Sequence, residues 1–189
     1  MISERECFKR NQPRIRGKRF IFIDETGAHP GISPVYGRSI KGKRLIGIEE
    51  PYARGRHTTM IAAMTEAGML QLDTFKGGMR KATFLRFVRR LVKKLKKGDV
   101  IFWDNLVLHK NKKAAALIRA AGARIRRLPR YSPDLNPIEH AFAKIKHHLR
   151  KTCPETIDDI RKGFRDAARC ISANNAIGYI KGCGYKLDR

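Results

Sequence analysis

Three carboxylates stand out by what precedes them. Asp24 follows the apolar run Phe20–Ile23, Asp104 follows Val100–Trp103, and Glu139 comes just after Asn136-Pro137 at the head of an amphipathic segment. Brought to one cleft, two aspartates and a glutamate would offer the oxygen donors that suit Mg²⁺, an ion that keeps several waters and takes one or two protein carboxylates together with substrate phosphate. Two such ions roughly 3.5 to 4 Å apart can activate an attacking oxygen and steady a leaving one in an in-line displacement at phosphorus. Each acid also has a plainer, structural reading. Asp24 can simply end a strand, Asp104-Asn105 suits an ordinary turn, and Asn136, Pro137 and Glu139 form a capping-box-like helix start with Asn136 as the N-cap. Taken singly, each acid is better explained by structure than by chemistry.

The elements that would position these residues follow from hydrophobic periodicity. Phe20–Ile23 is aromatic and β-branched and predicts a buried strand delivering Asp24 and Glu25 at its carboxyl end. Arg38–Ile48, rich in Gly and Lys, predicts an irregular hairpin. His57–Thr65 and Met69–Phe75 predict two strands joined at Gly68, giving three successive antiparallel strands. From Lys81 the period changes. Phe84, Val88, Leu91 and Leu95, with Leu85 and Val92 beside them, mark one face of a helix ending at Gly98, while Arg86, Arg89, Arg90, Lys93 and Lys94 line the other. Val100–Trp103, a helix over Lys112–Ala121 stopped by Gly122, and Arg124–Leu128 then read as a parallel crossover. After the Pro-rich turn Pro129–Pro137 comes a helix with the stripe Ile138, Phe142, Ile145 and Leu149. A last helix spans about Thr156–Cys170. Glu139, Lys146 and Arg150 share a helix face distinct from that stripe. The sum is an α/β domain with a mixed sheet over residues 19–189, preceded by a basic arm or linker remnant over residues 1–18. In open α/β sheets functional groups gather beyond the carboxyl ends of strands, where Asp24 and Asp104 are expected.

Composition points the same way. The 189 residues suit one domain, and 42 Lys and Arg against 17 Asp and Glu leave a net charge of +25. Such an excess calls for a polyanion. Nucleic acid fits best, because cations that neutralise phosphates release condensed counterions and bind strongly without regard to sequence. No apolar run approaches the roughly 20 residues that span a bilayer, and no apolar signal core follows the basic N-terminus, so a cytoplasmic protein is expected. Cys7, Cys153, Cys170 and Cys183 form no C-x-x-C pair and are read as reduced thiols. His147 and His148, adjacent on a helix, point apart and read as part of a solvated basic face rather than a metal site.

Phe22-Ile-Asp-Glu-Thr-Gly27, Phe102-Trp-Asp-Asn-Leu-Val-Leu-His-Lys110 and the block Leu128–Lys151, LPRYSPDLNPIEHAFAKIKHHLRK, together resemble bacterial insertion-sequence transposases of the mariner superfamily. The 34 residues between Asp104 and Glu139 match the spacing common in that superfamily, and the ending Cys183-Gly184-Tyr185 is also similar to it. The resemblance covers the chain from Arg19 onward. It implies a ribonuclease-H-like fold, a mixed five-stranded sheet flanked by helices, with Asp24, Asp104 and Glu139 as the catalytic, metal-binding triad for two Mg²⁺ ions, Mn²⁺ substituting. It further implies that Asn105, His109, Arg130, Tyr131, Ser132, Asn136, Lys146 and Arg150 support the site or touch DNA; Glu25 and Asp134 are second choices as metal ligands. The implied partners are double-stranded DNA, as transposon ends and as target with insertion at TA, and a second copy of the chain bridging two ends. The implied setting is the bacterial cytoplasm, at the nucleoid.

Relatives carry helix-turn-helix modules that read transposon ends, and the segment before Phe20 is too short to hold them, so end recognition is expected to lie outside this chain. Two rival readings stay open on the sequence. One is a metal-dependent nuclease of the same fold that cuts without joining. The other is a non-catalytic basic DNA-binding protein or inhibitory transposase remnant.

Overall fold

The computed structural model describes residues 3–15, 19–34, 36–46, 57–104 and 111–187. Five strands form one sheet: β1 (Phe20–Ala28), β2 (Thr58–Thr65), β3 (Gly68–Lys76), β4 (Val100–Trp103) and β5 (Arg124–Arg127), in the spatial order β3-β2-β1-β4-β5. β1, β2 and β3 pair antiparallel; β4 and β5 join the other edge of β1 in parallel. The helices are α1 (Glu4–Asn11), α2 (Lys81–Leu91), α3 (Lys112–Ala120), α4 (Pro137–Thr152), α5 (Ile157–Arg169) and α6 (Ala173–Gly182). The five strands, their directions and helices α2 to α5 agree with the hydrophobic pattern.

The central strands read as continuous apolar runs because both their faces are covered. Alternate side chains serve two cores. Phe20, Phe22, Met60, Ala62, Met64, Val100 and Phe102 pack on one face against α4, α5 and α6. Ile21, Ile23, Ile61, Ala63, Ile101 and Trp103 pack on the other against α2 and α3. The predicted α4 stripe, Ile138, Phe142, Ile145 and Leu149, is fully buried in the first core. Two glycines permit close approaches. Gly68, with φ +108°, opens β3 at a point where a Cβ would stand 2.6 Å from the carbonyl oxygen of Ile171. Gly163, inside α5, leaves room for Leu149 of α4, whose Cδ2 would lie 2.5 Å from an added Cβ.

The structure departs from expectation in four places. Residues 3–15 are no detached arm: Ser3 and Glu6 cap α1 reciprocally, Phe8 and Ile15 pack on the first core, and the buried Gln12 donates from Nε2 to the Cys183 carbonyl at 2.6 Å. Residues 38–46 form no ladder, only a turn closed by Lys43 N–H to the Ile40 carbonyl; Ile40 and Ile46 lie exposed, so no apolar face holds a hairpin together. Gly47 and Ile48 lie outside the described residues. α2 ends at Leu91 and tightens into a 3₁₀ turn, Val92–Lys94, before Leu95 turns extended, and Phe87 joins its buried face. α6, capped by Ser172 and Asn175, adds a helix that the apolar periodicity did not indicate.

Candidate active site

The site lies where the parallel pairing of β1 and β4 stops. Ile23 is opposite Trp103 in the last parallel pair, so Asp24 and Asp104 are the next residues on neighbouring strands, which run about 4.8 Å apart. β1 does not end there, as the apolar run had suggested. It continues to Ala28 because its other edge stays paired with β2, Asp24 opposite Ala62 and Ala28 opposite Thr58. Asp24 is thus held in rigid strand backbone, on the face that Phe20 and Phe22 present to α4. By the same alternation Glu25 lies on the opposite side of β1.

The third acid arrives on α4. After β5 the chain runs through Leu128 and Pro129, both buried, then Arg130 and Tyr131, both exposed, and a 3₁₀ turn at Pro133–Leu135. Tyr131 is 99% exposed and adopts the left-handed backbone region with φ +51°, which is unfavourable for a ring-bearing side chain. Ser132 is buried and donates to the Arg130 carbonyl at 3.1 Å, so its hydroxyl shapes the turn. Asn136 and Pro137 then start α4 and place Glu139 in its first turn, half-buried. Asn136 occupies the N-cap position but makes no side-chain cap. Its Nδ2 donates instead to Asp24 Oδ2 at 2.7 Å, while the Glu25 backbone N–H donates to Asp24 Oδ1 at 2.8 Å.

The electrostatics mark a group of acids short of cations. Burial pushes the Asp24 carboxyl from 3.8 up to about 8; the Glu25 N–H works against this, and the charges of Glu25, Glu139 and Asp104 add to it. Glu139 is also raised, chiefly by burial, with Lys146 and His140 pulling it down and Asp104 and Glu25 pushing it up. The three predicted acids are therefore within electrostatic reach of one another, and Glu25 joins them. Asp134 does not: its exposed carboxylate is held by Arg5 at 2.6 Å and Lys9 at 3.8 Å, and the Arg5 hydrogen bond keeps it below the usual range. Lys146 is half-buried beside Glu139, and Arg150 lies one turn further along α4, also half-buried. Asn105 and His109 lie outside the described residues.

This donor set fits a hard divalent cation. It is all carboxylate oxygen, it is partly desolvated, and its members repel one another, so an ion between them would relieve the repulsion. Among the described residues no three His, Cys, Asp or Glu groups form a closed ligand cluster. A cation of this class needs none, since it binds through one or two carboxylates, its own waters and substrate phosphate. The sequence did not reveal three contacts that hold the turn before Glu139: Asn136 to Asp24, Arg5 to Asp134, and the buried Tyr185 hydroxyl, which donates to the Leu135 carbonyl at 2.8 Å. The Cys183-Gly184-Tyr185 ending was the one available hint of the last.

Residues 19–161 match the family model described as DDE superfamily endonuclease. Among solved structures, the chain is similar to the Mos1 transposase in its paired-end complex with left transposon end: TM-score 0.74 at 16% identity, over 94% of this chain and 55% of that one. The Mos1 strand transfer complex gives 0.75 at 18% identity, over 94% and 54%. The Mos1 transposase catalytic domain with Raltegravir and Mg gives 0.61 at 12%, over 96% and 91%. The chain thus spans about half of the Mos1 chains in the DNA complexes and nearly all of the isolated catalytic domain, and it shares their ribonuclease-H-like fold. No curated protein matches it significantly by sequence. No helix among the described residues is long and apolar enough to cross a membrane. With the family model matched over most of its length and the acids gathered at the end of β1 and β4, the chain belongs to the DDE superfamily endonucleases.

Proposed function

We propose that this chain is the catalytic domain of a DNA transposase that cuts at transposon ends and joins the freed 3′ hydroxyl to target DNA, with TA as the preferred target. The observation that carries the reading is the convergence of Asp24, Asp104 and Glu139 from two parallel strands and one helix, with Asn136 bonded to Asp24 three residues before Glu139. A DNA-cutting chain built on these acids needs no Ser, Tyr or Cys nucleophile and forms no covalent enzyme intermediate. Asp24, Asp104 and Glu139 would hold two Mg²⁺ ions, or Mn²⁺ in their place. The chemistry supplied there is Lewis acidity and charge neutralisation at the phosphate.

The rest falls to the chain's own side chains. The net charge of +25 binds the phosphate backbone over a wide surface. Arg130, exposed, and Lys146 and Arg150, half-buried on the helix that carries Glu139, would touch the strand that enters the acid cleft, and the exposed ring of Tyr131 would offer a stacking surface for a base. Ser132 and Asn136, being buried, would support the site rather than touch DNA, and Asn105 and His109 would support the site or touch DNA. Two copies acting together on two DNA ends, in the bacterial cytoplasm at the nucleoid, would give the working assembly.

The test is strand transfer of a pre-cut end in Mg²⁺ or Mn²⁺, using the repeats that flank the gene. Asp104→Asn and Glu139→Gln are expected to abolish cleavage and joining while leaving salt-sensitive DNA binding intact, because affinity resides in the many cations. Cleavage retained in both variants overturns the assignment. Cleavage without joining in the unmodified chain favours the nuclease of the same fold, and binding with no turnover favours the non-catalytic reading.

A further inference from the structure

Asn136 stands where a capping side chain belongs and caps nothing. Asparagine is among the best N-caps, and the first turn of α4 leaves backbone N–H groups for it to satisfy. Its amide reaches instead across the fold to a residue 112 positions earlier, donating to Asp24 Oδ2 at 2.7 Å in a buried contact. The other oxygen of that carboxylate accepts from the Glu25 backbone N–H at 2.8 Å. Asp24 is therefore gripped at both oxygens, once from its own strand and once from the helix that carries Glu139. We propose that Asn136 is a positioning residue for cation capture: it fixes the plane of the Asp24 carboxylate and locks it to the first turn of α4, so that Asp24 and Glu139 are presented as one preset pair. This rests on the reading of the acid cleft given above.

Two further observations support the role. Asn136 is 3% exposed, and its Oδ1 is buried with no donor among the described residues. A hydrated cation held beside Asp24 would supply donors for such an oxygen. The turn that carries Asn136 is also held on its far side. Tyr185, buried among Phe20, Phe22 and Phe102, donates to the carbonyl of Leu135, the preceding residue, and Arg5 grips Asp134 with two hydrogen bonds. The amide of Asn136 thus has little freedom to move away from Asp24. Groups that orient metal ligands typically change metal affinity 10- to 100-fold when replaced.

The experiment measures Mn²⁺ binding to the full chain without DNA or turnover, by the electron paramagnetic resonance signal of free Mn²⁺, beside urea unfolding in EDTA. Asn136→Ser supplies a good N-cap that is too short to reach Asp24, so it preserves the helix start and removes only the long contact. Both N136S and N136A are expected to bind Mn²⁺ about 10- to 100-fold more weakly, with N136S still unfolding in EDTA in one cooperative urea transition, so that its loss of affinity is read on a folded chain. D24N is expected to bind more weakly still. Should N136A fail to fold, N136S decides alone. Unchanged affinity in N136S with D24N impaired overturns the positioning role but keeps the acid cleft; unchanged affinity in D24N overturns both.

Discussion

Without a cation, Asp24 should make the folded chain less stable at neutral pH, and removing its charge should stabilise it. The folded carboxyl titrates at about 8, against 3.8 for an ordinary aspartate. Its value is raised on folding, so the contribution of Asp24 to stability is fully present below pH 3.8, is lost progressively as pH rises toward 8, and is constant above that. Each pH unit in that window costs about 1.4 kcal/mol. At pH 7 the cost is therefore on the order of 4 kcal/mol, a large part of the roughly 5 to 15 kcal/mol that holds a domain together. Asp24→Asn removes the charge but turns one accepting oxygen into a donor that faces Asn136 or the Glu25 N–H. Rotation of the Asn136 amide relieves part of that conflict, because its Oδ1 has no donor among the described residues; a residual loss of about 1 to 2 kcal/mol is expected for a buried contact left imperfect.

The net expectation is that D24N in EDTA is about 2 to 3 kcal/mol more stable than the parent chain at pH 7 and no more stable, or slightly less, near pH 4. Urea unfolding followed by circular dichroism between pH 4 and pH 8 reads this directly, with the two curves separating as pH rises. Mn²⁺ should close this gap and then reverse the order: for a chain that binds it, it adds about 2.7 kcal/mol at about 100 times its dissociation constant and about 4.1 kcal/mol at about 1,000 times, and it adds little to one that does not. A D24N variant that is less stable than the parent chain at pH 7 in EDTA, or a difference that does not change with pH, refutes the view of Asp24 as a buried acid awaiting a cation.

Two more outcomes follow from the same structure. Tyr185→Phe keeps the aromatic cluster but leaves the buried Leu135 carbonyl without its donor; unfolding in urea should show a loss of about 1 to 3 kcal/mol, and no loss would mean the hydroxyl does not hold the turn. Lys146→Ala should flatten the slope of log affinity for duplex DNA against log salt concentration by about one, as expected for one phosphate contact, leaving the fold intact; an unchanged slope would remove Lys146 from the DNA surface.

How much of this was legible in the sequence depended on how local the cause was. β1, β2 and β4 announce themselves as uninterrupted apolar runs, because both sheet faces are covered, and α4 does so through buried side chains that recur at the helix period. α6 did not, since Ala173–Gly182 carries two glycines and two asparagines and buries only Ala176 and Ile180. α1 was hidden by its charge, although Ser3 and Glu6 spell a capping box. The acids were legible only as a set. Local pattern assigns Asn136 a local task, the N-cap, and only the fold shows that its partner is Asp24, because nothing local encodes a contact across 112 positions.

The cost carried by Asp24 is tolerated because the elements around it are held far more strongly by apolar packing. Ile138, Phe142, Ile145 and Leu149 are each fully buried, and at about 1.5 to 3 kcal/mol apiece they hold α4 on the sheet by more than the burial of Asp24 costs. Gly163 lets α5 close on Leu149 at the far end of the same helix, so α4 is packed tightly at the end away from the acids as well. The cost therefore stays at the acids, where a cation would offset it, and the helix that fills the core also sets the distance between Glu139 and Asp24. A substitution that loosens the α4 stripe should then weaken cation binding without touching an acid, since the two ends of the site are joined through the packing of one helix.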